Sequence, residues 1–503
     1  MSATIRELLA AGRDGAPAIL TCDGPTLNYA ELRRQVDQLA GQLATLGIGP
    51  GDRVAIVLPN GPAAGILFLA VAACATAAPL NQAYREDEFR FYLDDLGAKA
   101  LITLPDDAPA AHAAAPDDAV RLALVGEPGS YSLQRDGVNV AVSPARYAPA
   151  DEVALVLHTS GTTARPKIVP LSQRNLTTSA ANIKAALDLT SSDRCLNVMP
   201  LFHIHGLIGA LLASMGAGAS VVCSPGFDAF KFFGWLDETK PTWYTAVPTM
   251  HQLVLARAAR QKESVQRAKL RFIRSSSAAL PPTVMAELEE VFGAPVIEAY
   301  GMTEASHQMA TNPLPPAPRK PGSVGLGAGV QVAIMDDEGN LLPSPKIGEI
   351  VIKGGNVTAG YENNATANES SFTHGWFRTG DQGMQDRDGY LFLTGRLKEI
   401  INRGGEKVSP REIDEVLLQH PAVAQAVAFG MPHERLGEEV AAAVVLNEGA
   451  SADERELRDY CSKMLADFKL PKTIVILTDI PKGATGKVQR IGLAEKLGLV
   501  KSR

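Results

Sequence analysis

Strand-like and helix-like segments alternate along the first part of this chain, and that alternation restricts the fold more than any other feature. Leu32, Val36, Leu39, Leu43 and Leu46 recur at helical spacing and give one apolar stripe. Asn28 with Glu31 three residues on makes a capping-box start, and Gly47 a stop. The segment RVAIVLP at 53–59 follows as a strand, then an apolar, alanine-rich stretch at 62–80 that carries no charge. A helix that returns the chain between strands makes those strands parallel, so the expected class is α/β. The alternation resumes after Val153 and runs past Val296.

From 324 to 396 the pattern changes to short strands with glycine turns, such as GEIVIKG at 348–354 and DGYLFL at 388–393. A small antiparallel barrel or sheet is expected there. After Arg396 the pattern starts afresh, with a strand near 399–402, a helix over 410–420, an apolar strand near 423–431 and a helix over 454–465. These suit a separate α+β domain. Residues 105–150, rich in Ala, Pro, Asp and Gly, read as a peripheral excursion without assigned chemistry.

A length of 503 residues is too great for one core and implies two to four structural units. The formal charge of −7 argues against a nucleic-acid partner, which favours a basic stripe. Cys22, Cys74, Cys195, Cys223 and Cys461 are scattered without metal-ligand spacing, so neither disulfide nor zinc is expected. The N-terminal segment is charged and lacks the apolar run of a signal peptide. The stretch at 62–80 is read as a buried core helix rather than a membrane span, because alanine contributes little to insertion. A cytoplasmic protein, monomer or homodimer, is expected.

Residues 158–168 read HTSGTTARPKI and follow the apolar run VALVL at 153–157, which has the length of a buried strand. The loop thus leaves a strand end, where open α/β sheets commonly bind anions on unpaired amides. Ser160, Thr162 and Thr163 add hydroxyl donors, Gly161 allows close approach, and Lys167 adds a point charge. Read alone, such a run also suits an ordinary surface turn. The spacing of a Walker loop is absent.

Further segments follow in order: YGMTE at 300–304, WFRTGD at 376–381, GRLKEII at 395–401 and PKGATGK at 481–487. With the loop at 158–168 they resemble, from about residue 28 to 487, the motifs of the adenylate-forming superfamily of acyl-CoA synthetases, luciferases and peptide-synthetase adenylation domains. The resemblance implies a large N-terminal domain, 1–396, of two parallel-rich α/β sheets plus a small antiparallel β-barrel, then a small mobile α+β C-terminal domain, 397–503. It implies an AMP-forming acid–CoA ligase that uses ATP, Mg2+, coenzyme A and a small carboxylic acid.

Residue by residue, the resemblance implies that Thr159, Ser160, Gly161, Thr162, Thr163 and Lys167 embrace the ATP phosphates. Glu304 would help hold Mg2+, with Thr303 beside the α-phosphate. Tyr300 would pack on adenine in a pocket lined by Ala278, Glu298, Ala299, Gly301 and Met302, with core packing as the plainer alternative. Asp381 would accept from the ribose hydroxyls, or else serve only its own turn, and Arg396 would donate to the same sugar. Lys487 would bridge the substrate carboxylate and the α-phosphate. Lys398 falls at the family's hinge, though an exposed strand lysine reads the same. Rotation there would exchange Lys487 for a CoA-facing surface with Gly404, Gly405 and Lys407. Ala164 and Ile168 replace the glycines of the usual TSGTTG-x-PKG, which raises the prospect of backbone strain if either position needs a positive φ.

The acyl pocket is read from PLFHIHG at 200–206, WYTAVPT at 243–249, RSSSAA at 274–279 and ASHQM at 305–309. Aryl and fatty acyl ligases are mostly small or apolar here, whereas this chain offers His203, His205, Arg274, Ser275, Ser276, Ser277, Ser306 and His307. WYTAVPT, RFIRSSSA, EAYGMTEASHQM and INRGGEKVSP resemble the oxalate–CoA ligase branch, known from plants and fungi. The expected acid is oxalate, met by His307, Ser277 and His203. Arg274 would add charge or merely end a strand, and His203 would contact the acid or act as a gate beside its reacting carboxylate. A 4-coumarate-like, malonate or medium-chain ligase, a domain serving a carrier protein, and a non-catalytic nucleotide-binding protein are the competing readings.

Overall fold

A computed structural model describes residues 2–159, 166–481, 488 and 490–500. The chain forms two compact units, the first of Met1–Val332 with Ile352–Phe377 and the second of Ala333–Val351 with Arg378–Arg503.

The first unit is built on two parallel-rich sheets. One has a parallel centre in the spatial order Val296–Met302, Phe272–Ser275, Trp243–Ala246, Arg194–Asn197, Ser220–Cys223 and Pro17–Leu20. Antiparallel strands His307–Thr311 and Leu326–Gly327 close one edge, and Thr26–Asn28 the other. The second sheet is parallel from Val153–Thr159 through Thr76–Pro79, Arg53–Ile56 and Ala100–Thr103 to Val120–Val125, with Lys167–Ser172 antiparallel at one edge. Central strands such as Trp243–Ala246 are buried at every position, as expected where helices cover both faces. The helix Tyr29–Thr45 starts with the expected capping box, in which Asn28 and Glu31 exchange 2.9 Å hydrogen bonds.

Two expectations need correction. The apolar stretch at 62–80 is not one helix: helix Pro62–Cys74 ends at Ala75 and strand Thr76–Pro79 follows. Nearly every residue in it is buried, so no polar period marks where helix gives way to strand. Residues 105–150 are not mere excursion either. They supply helix Pro109–Ala114 and strands Val120–Val125, Ser132–Arg135 and Val138–Asn139, which extend the second sheet to its far edge. Those last two strands are short and mostly polar, so their signal is weak.

Strands Gln331–Met335, Leu341–Leu342, Gly348–Lys353, Trp376–Gln385 and Leu391–Arg396, most of whose residues fall in the second unit, belong to a curled antiparallel half-barrel. A further sheet carries hairpin Ile401–Arg403 and Glu406–Val408, strands Val423–His433 and Gly437–Leu446, and the parallel strand Thr473–Leu477. Helices Pro410–Leu417 and Glu454–Cys461 pack Ile413, Leu417 and Leu457 against Val440 and Ala442 of that sheet. Its other face buries Val427 and Phe429 under Ile480 and Leu493. All five cysteines are free and buried. Among the described residues no helix is long and apolar enough to cross a membrane.

Candidate active site

Parallel strands deliver their C-terminal ends to one edge of a sheet, and in the nine-stranded sheet that edge gathers a buried polar cluster. Arg274 on strand Phe272–Ser275 is wholly buried. Its Nη1 donates to His205 Nε2 at 3.2 Å and to Thr245 Oγ1 at 3.4 Å. Its Nη2 donates to His307 Nε2 at 3.0 Å and to Gln308 Oε1 at 2.9 Å. Among the described residues no carboxylate pairs with it, and its Nε has no partner. Burial pushes its pKa down to about 10, the nearby Cys195 opposing the shift, so the guanidinium stays charged at neutral pH. His205 and His307 stack with ring centroids 4.8 Å apart, and His205 Nδ1 lies 3.1 Å from Ser277 Oγ.

Local backbone makes this cluster possible. His205 begins a π-helical segment, His205–Leu212, a form often found at functional sites. Ser277, Ser306 and His307 have positive φ, at 74°, 48° and 96°, and each such non-glycine residue stores on the order of 1–3 kcal/mol. A Cβ on Gly301 would lie 1.9 Å from the His307 carbonyl oxygen, so the turn that presents His307 needs glycine opposite it. A Cβ on Gly209 would come within 2.6 Å of the His307 ring. The variant Gly209→Ala is therefore expected to displace that ring, lowering stability by about 1–3 kcal/mol and ligase turnover about tenfold. Thermal melting beside AMP release checks this, and a fully active variant would mean that the ring position is unimportant.

The structure thus brings His205, Arg274, Ser277 and His307 together. His203 is half-buried two residues away, where its Nδ1 accepts from the His205 amide at 3.3 Å. Ser276 is used structurally, donating to the Ala299 carbonyl at 3.0 Å, and Ser306 likewise to the Asn356 carbonyl at 2.9 Å. Thr245 and Gln308 were missed as partners. Both lie inside segments already singled out, but nothing in their spacing marks them.

Strand Val296–Met302 carries Glu298, Ala299, Tyr300, Gly301 and Met302, and Thr303 and Glu304 follow in a short 3-10 turn. Glu298 is buried and accepts from the Leu280 amide at 3.1 Å, whereas Ala278 is exposed and Tyr300 buried. Glu304 is buried and accepts from the Tyr361 hydroxyl at 2.8 Å. The Lys167 ammonium sits 4.2 Å from the centroid of the same tyrosine ring. Tyr361 therefore joins Lys167 to Glu304, a link that no motif signals. Its segment is tied down by Thr358 Oγ1 to the Pro170 carbonyl at 2.8 Å and by Arg53 to Glu362. The buried Glu304 carboxylate fits Mg2+, which takes one or two carboxylates along with substrate phosphate oxygens.

Thr159 and Lys167 are opposed in the antiparallel pair formed by Val153–Thr159 and Lys167–Ser172. Ser160, Gly161, Thr162, Thr163 and Ala164 lie outside the described residues. Ile168 is a buried strand residue opposite His158 without a positive φ, so the condition under which it would be strained is not met.

Within the second unit, Asp381 and Arg396 are opposed in register, and Arg396 Nε donates to Asp381 Oδ1 at 2.8 Å. Asp381 is buried while the arginine is exposed. Lys398 lies exposed in the 3-10 turn Leu397–Glu399, between strands Leu391–Arg396 and Ile401–Arg403. Gly404 and Gly405, with φ of 61° and 97°, turn the hairpin that carries exposed Lys407. Lys487 lies outside the described residues.

The chain belongs to the AMP-binding enzyme family, whose model matches residues 9–362, with the AMP-binding enzyme C-terminal domain matching 412–487. Within that family it is an ATP-dependent CoA ligase. It is 49% identical to a probable CoA ligase, CCL9, of Humulus lupulus, covering 95% of this chain and 93% of the relative. It is also 49% identical to the oxalate–CoA ligase of Arabidopsis thaliana, covering 92% of each. The fold matches that of ATP-bound MatB from Rhodopseudomonas palustris with a TM-score of 0.89 at 32% identity over 99% of both chains.

Proposed function

We propose that this ligase activates oxalate. The observation that carries the reading is the wholly buried Arg274 guanidinium, held by two imidazoles, a hydroxyl and an amide but by no carboxylate among the described residues. A buried cation needs a counter-charge, and the second carboxylate of a short diacid supplies one. A hydrocarbon acid would leave the donors around it unpaired, at a cost of about 1–3 kcal/mol each. The similarity to the Arabidopsis oxalate–CoA ligase supports the same reading.

A carboxylate and a thiol do not condense unaided, because the oxygen that must depart is a poor leaving group. In the proposed sequence the oxalate oxygen attacks the α-phosphorus of ATP, forming the acyl-adenylate as pyrophosphate departs. The CoA sulfur then attacks the acyl carbon, forming the thioester as AMP departs. The Thr159–Thr163 run and Lys167 hold the phosphates, and Thr303 lies beside the α-phosphate. Mg2+, when bound at Glu304, offsets charge on the phosphates. Ala278, Tyr300 and the backbone of Glu298, Ala299, Gly301 and Met302 line the adenine, while Asp381 and Arg396 take the ribose. His203 and His205 border the acid with Ser277 and His307. Rotation at Lys398 of a mobile 397–503 domain replaces Lys487 by the Gly404, Gly405 and Lys407 hairpin for thioester formation.

Two measurements test this. Mass spectrometry of thioesters formed from oxalate, malonate, coumarate and octanoate is expected to show oxalyl-CoA foremost. Dominant coumaroyl- or octanoyl-CoA would leave the ligase in place and the oxalate reading wrong. Asp381→Ala, in turn, is expected to raise the KM for ATP about 10- to 100-fold, the worth of about one charge-assisted hydrogen bond. An unchanged KM would limit Asp381 to its ion pair with Arg396.

A further inference from the structure

The hydrogen bonds of Arg274 dictate more than a counter-charge. A guanidinium only donates, so each imidazole nitrogen it meets must present a lone pair. Both contacts are to Nε2, of His205 at 3.2 Å and of His307 at 3.0 Å. The Thr245 hydroxyl, 2.6 Å from His205 Nε2, is a second donor to the same lone pair. Each ring therefore carries its proton on Nδ1 and is neutral. His205 Nδ1–H then donates to Ser277 Oγ across 3.1 Å, which occupies an acceptor position on that oxygen and leaves the hydroxyl proton free to be donated.

We propose that Arg274 is a positioning residue that fixes His205 and His307 as neutral Nδ1–H tautomers, so that Ser277 and His307 meet the acid as hydrogen-bond donors. The proposal rests on the reading that these residues hold the acid carboxylate. The geometry supports it from several sides. The rings stack at 4.8 Å, where two imidazolium ions would repel, and the cation bridging their Nε2 atoms keeps both neutral. Among the described residues, Arg274 bonds both rings and the half-buried His203 accepts from the His205 amide, while the thiol of Cys195, beside Arg274, is pushed well up by burial and stays protonated. Gln308 Oε1 takes a remaining proton of Nη2, which holds the fork in one orientation. The strained His307 backbone, with φ of 96°, secures the ring at the required place.

The decisive experiment is nitrogen NMR of the full-length wild-type protein labelled with 15N-histidine, with His205→Gln and His307→Gln spectra used for assignment. Both rings are expected to show protonated Nδ1 and unprotonated Nε2 throughout pH 6 to 8. Protonated Nε2, or an imidazolium, in either ring overturns the proposal whatever the substrate proves to be. Kinetics supply the functional arm, using the acid that wild type turns over best. In Arg274→Met, kcat/KM for that acid is expected to fall about 100-fold at pH 8. It should recover at least tenfold as the pH drops through the ordinary histidine range, about 6.5, because imidazolium donors replace the lost charge. Wild type is expected to show no such rise. A folded variant with an equal loss at every pH would reduce Arg274 to a structural strut and overturn the positioning role. Failure of the oxalate reading shows separately, as wild type that makes no oxalyl-CoA.

Discussion

Replacing Lys487 with alanine is expected to lower adenylate formation about a hundredfold or more, the usual cost of removing a group aimed at developing charge. In the proposed first step the acid oxygen closes on the α-phosphorus, so that two anions approach and the departing pyrophosphate gathers charge. A point cation placed between carboxylate and phosphate stabilises that arrangement more than the separate substrates, so the loss falls on kcat rather than on KM. Thioester formation from preformed acyl-adenylate is expected to survive, because the domain rotation proposed at Lys398 carries Lys487 away before the thiol arrives. Pre-steady-state measurement of the two half-reactions separates them. Equal losses in both would show that the lysine supports the fold or both steps alike.

The second large effect is expected from Glu304→Gln. This side chain is buried and receives the Tyr361 hydroxyl at 2.8 Å, and the Lys167 ammonium lies against the face of that tyrosine. The amide keeps the shape and removes the charge. AMP release is expected to fall about 100-fold at ordinary Mg2+, with the requirement for Mg2+ shifted upward, since a neutral amide is a poorer ligand for a hard cation. Tyr361→Phe keeps the carboxylate and is expected to cost about tenfold, the price of one orienting hydrogen bond. A Glu304→Gln enzyme with an unaltered Mg2+ titration would remove Glu304 from the metal-binding role.

What could be read from the chain, and what could not, follows from physical causes. Strand Arg53–Ile56 and helix Tyr29–Thr45 were legible because short apolar runs and an amphipathic stripe have different periods. The helix-to-strand change at Ala75 was hidden because its neighbours on both sides are apolar and buried, which removes any period. The polar pocket was legible as a set of residue types, since buried His, Arg and Ser are costly unless paired. Its wiring was not. The bonds from Arg274 to His205 and His307 join three segments, distant in sequence, that only the fold brings side by side. Tyr361 and Gly209 lie outside every motif, and their importance comes from the atoms opposite them, the Glu304 carboxylate and the His307 ring.

The central claim, that this site adenylates oxalate, is tested most directly by exchange of labelled pyrophosphate into ATP, because that exchange needs only the acid, ATP and Mg2+ and reports the first step without CoA. Oxalate is expected to support exchange at least tenfold faster than malonate, coumarate or octanoate at equal concentration. Exchange driven by coumarate or octanoate, with oxalate inert, would contradict the account, because the buried Arg274 cluster would then have no part in holding the acid.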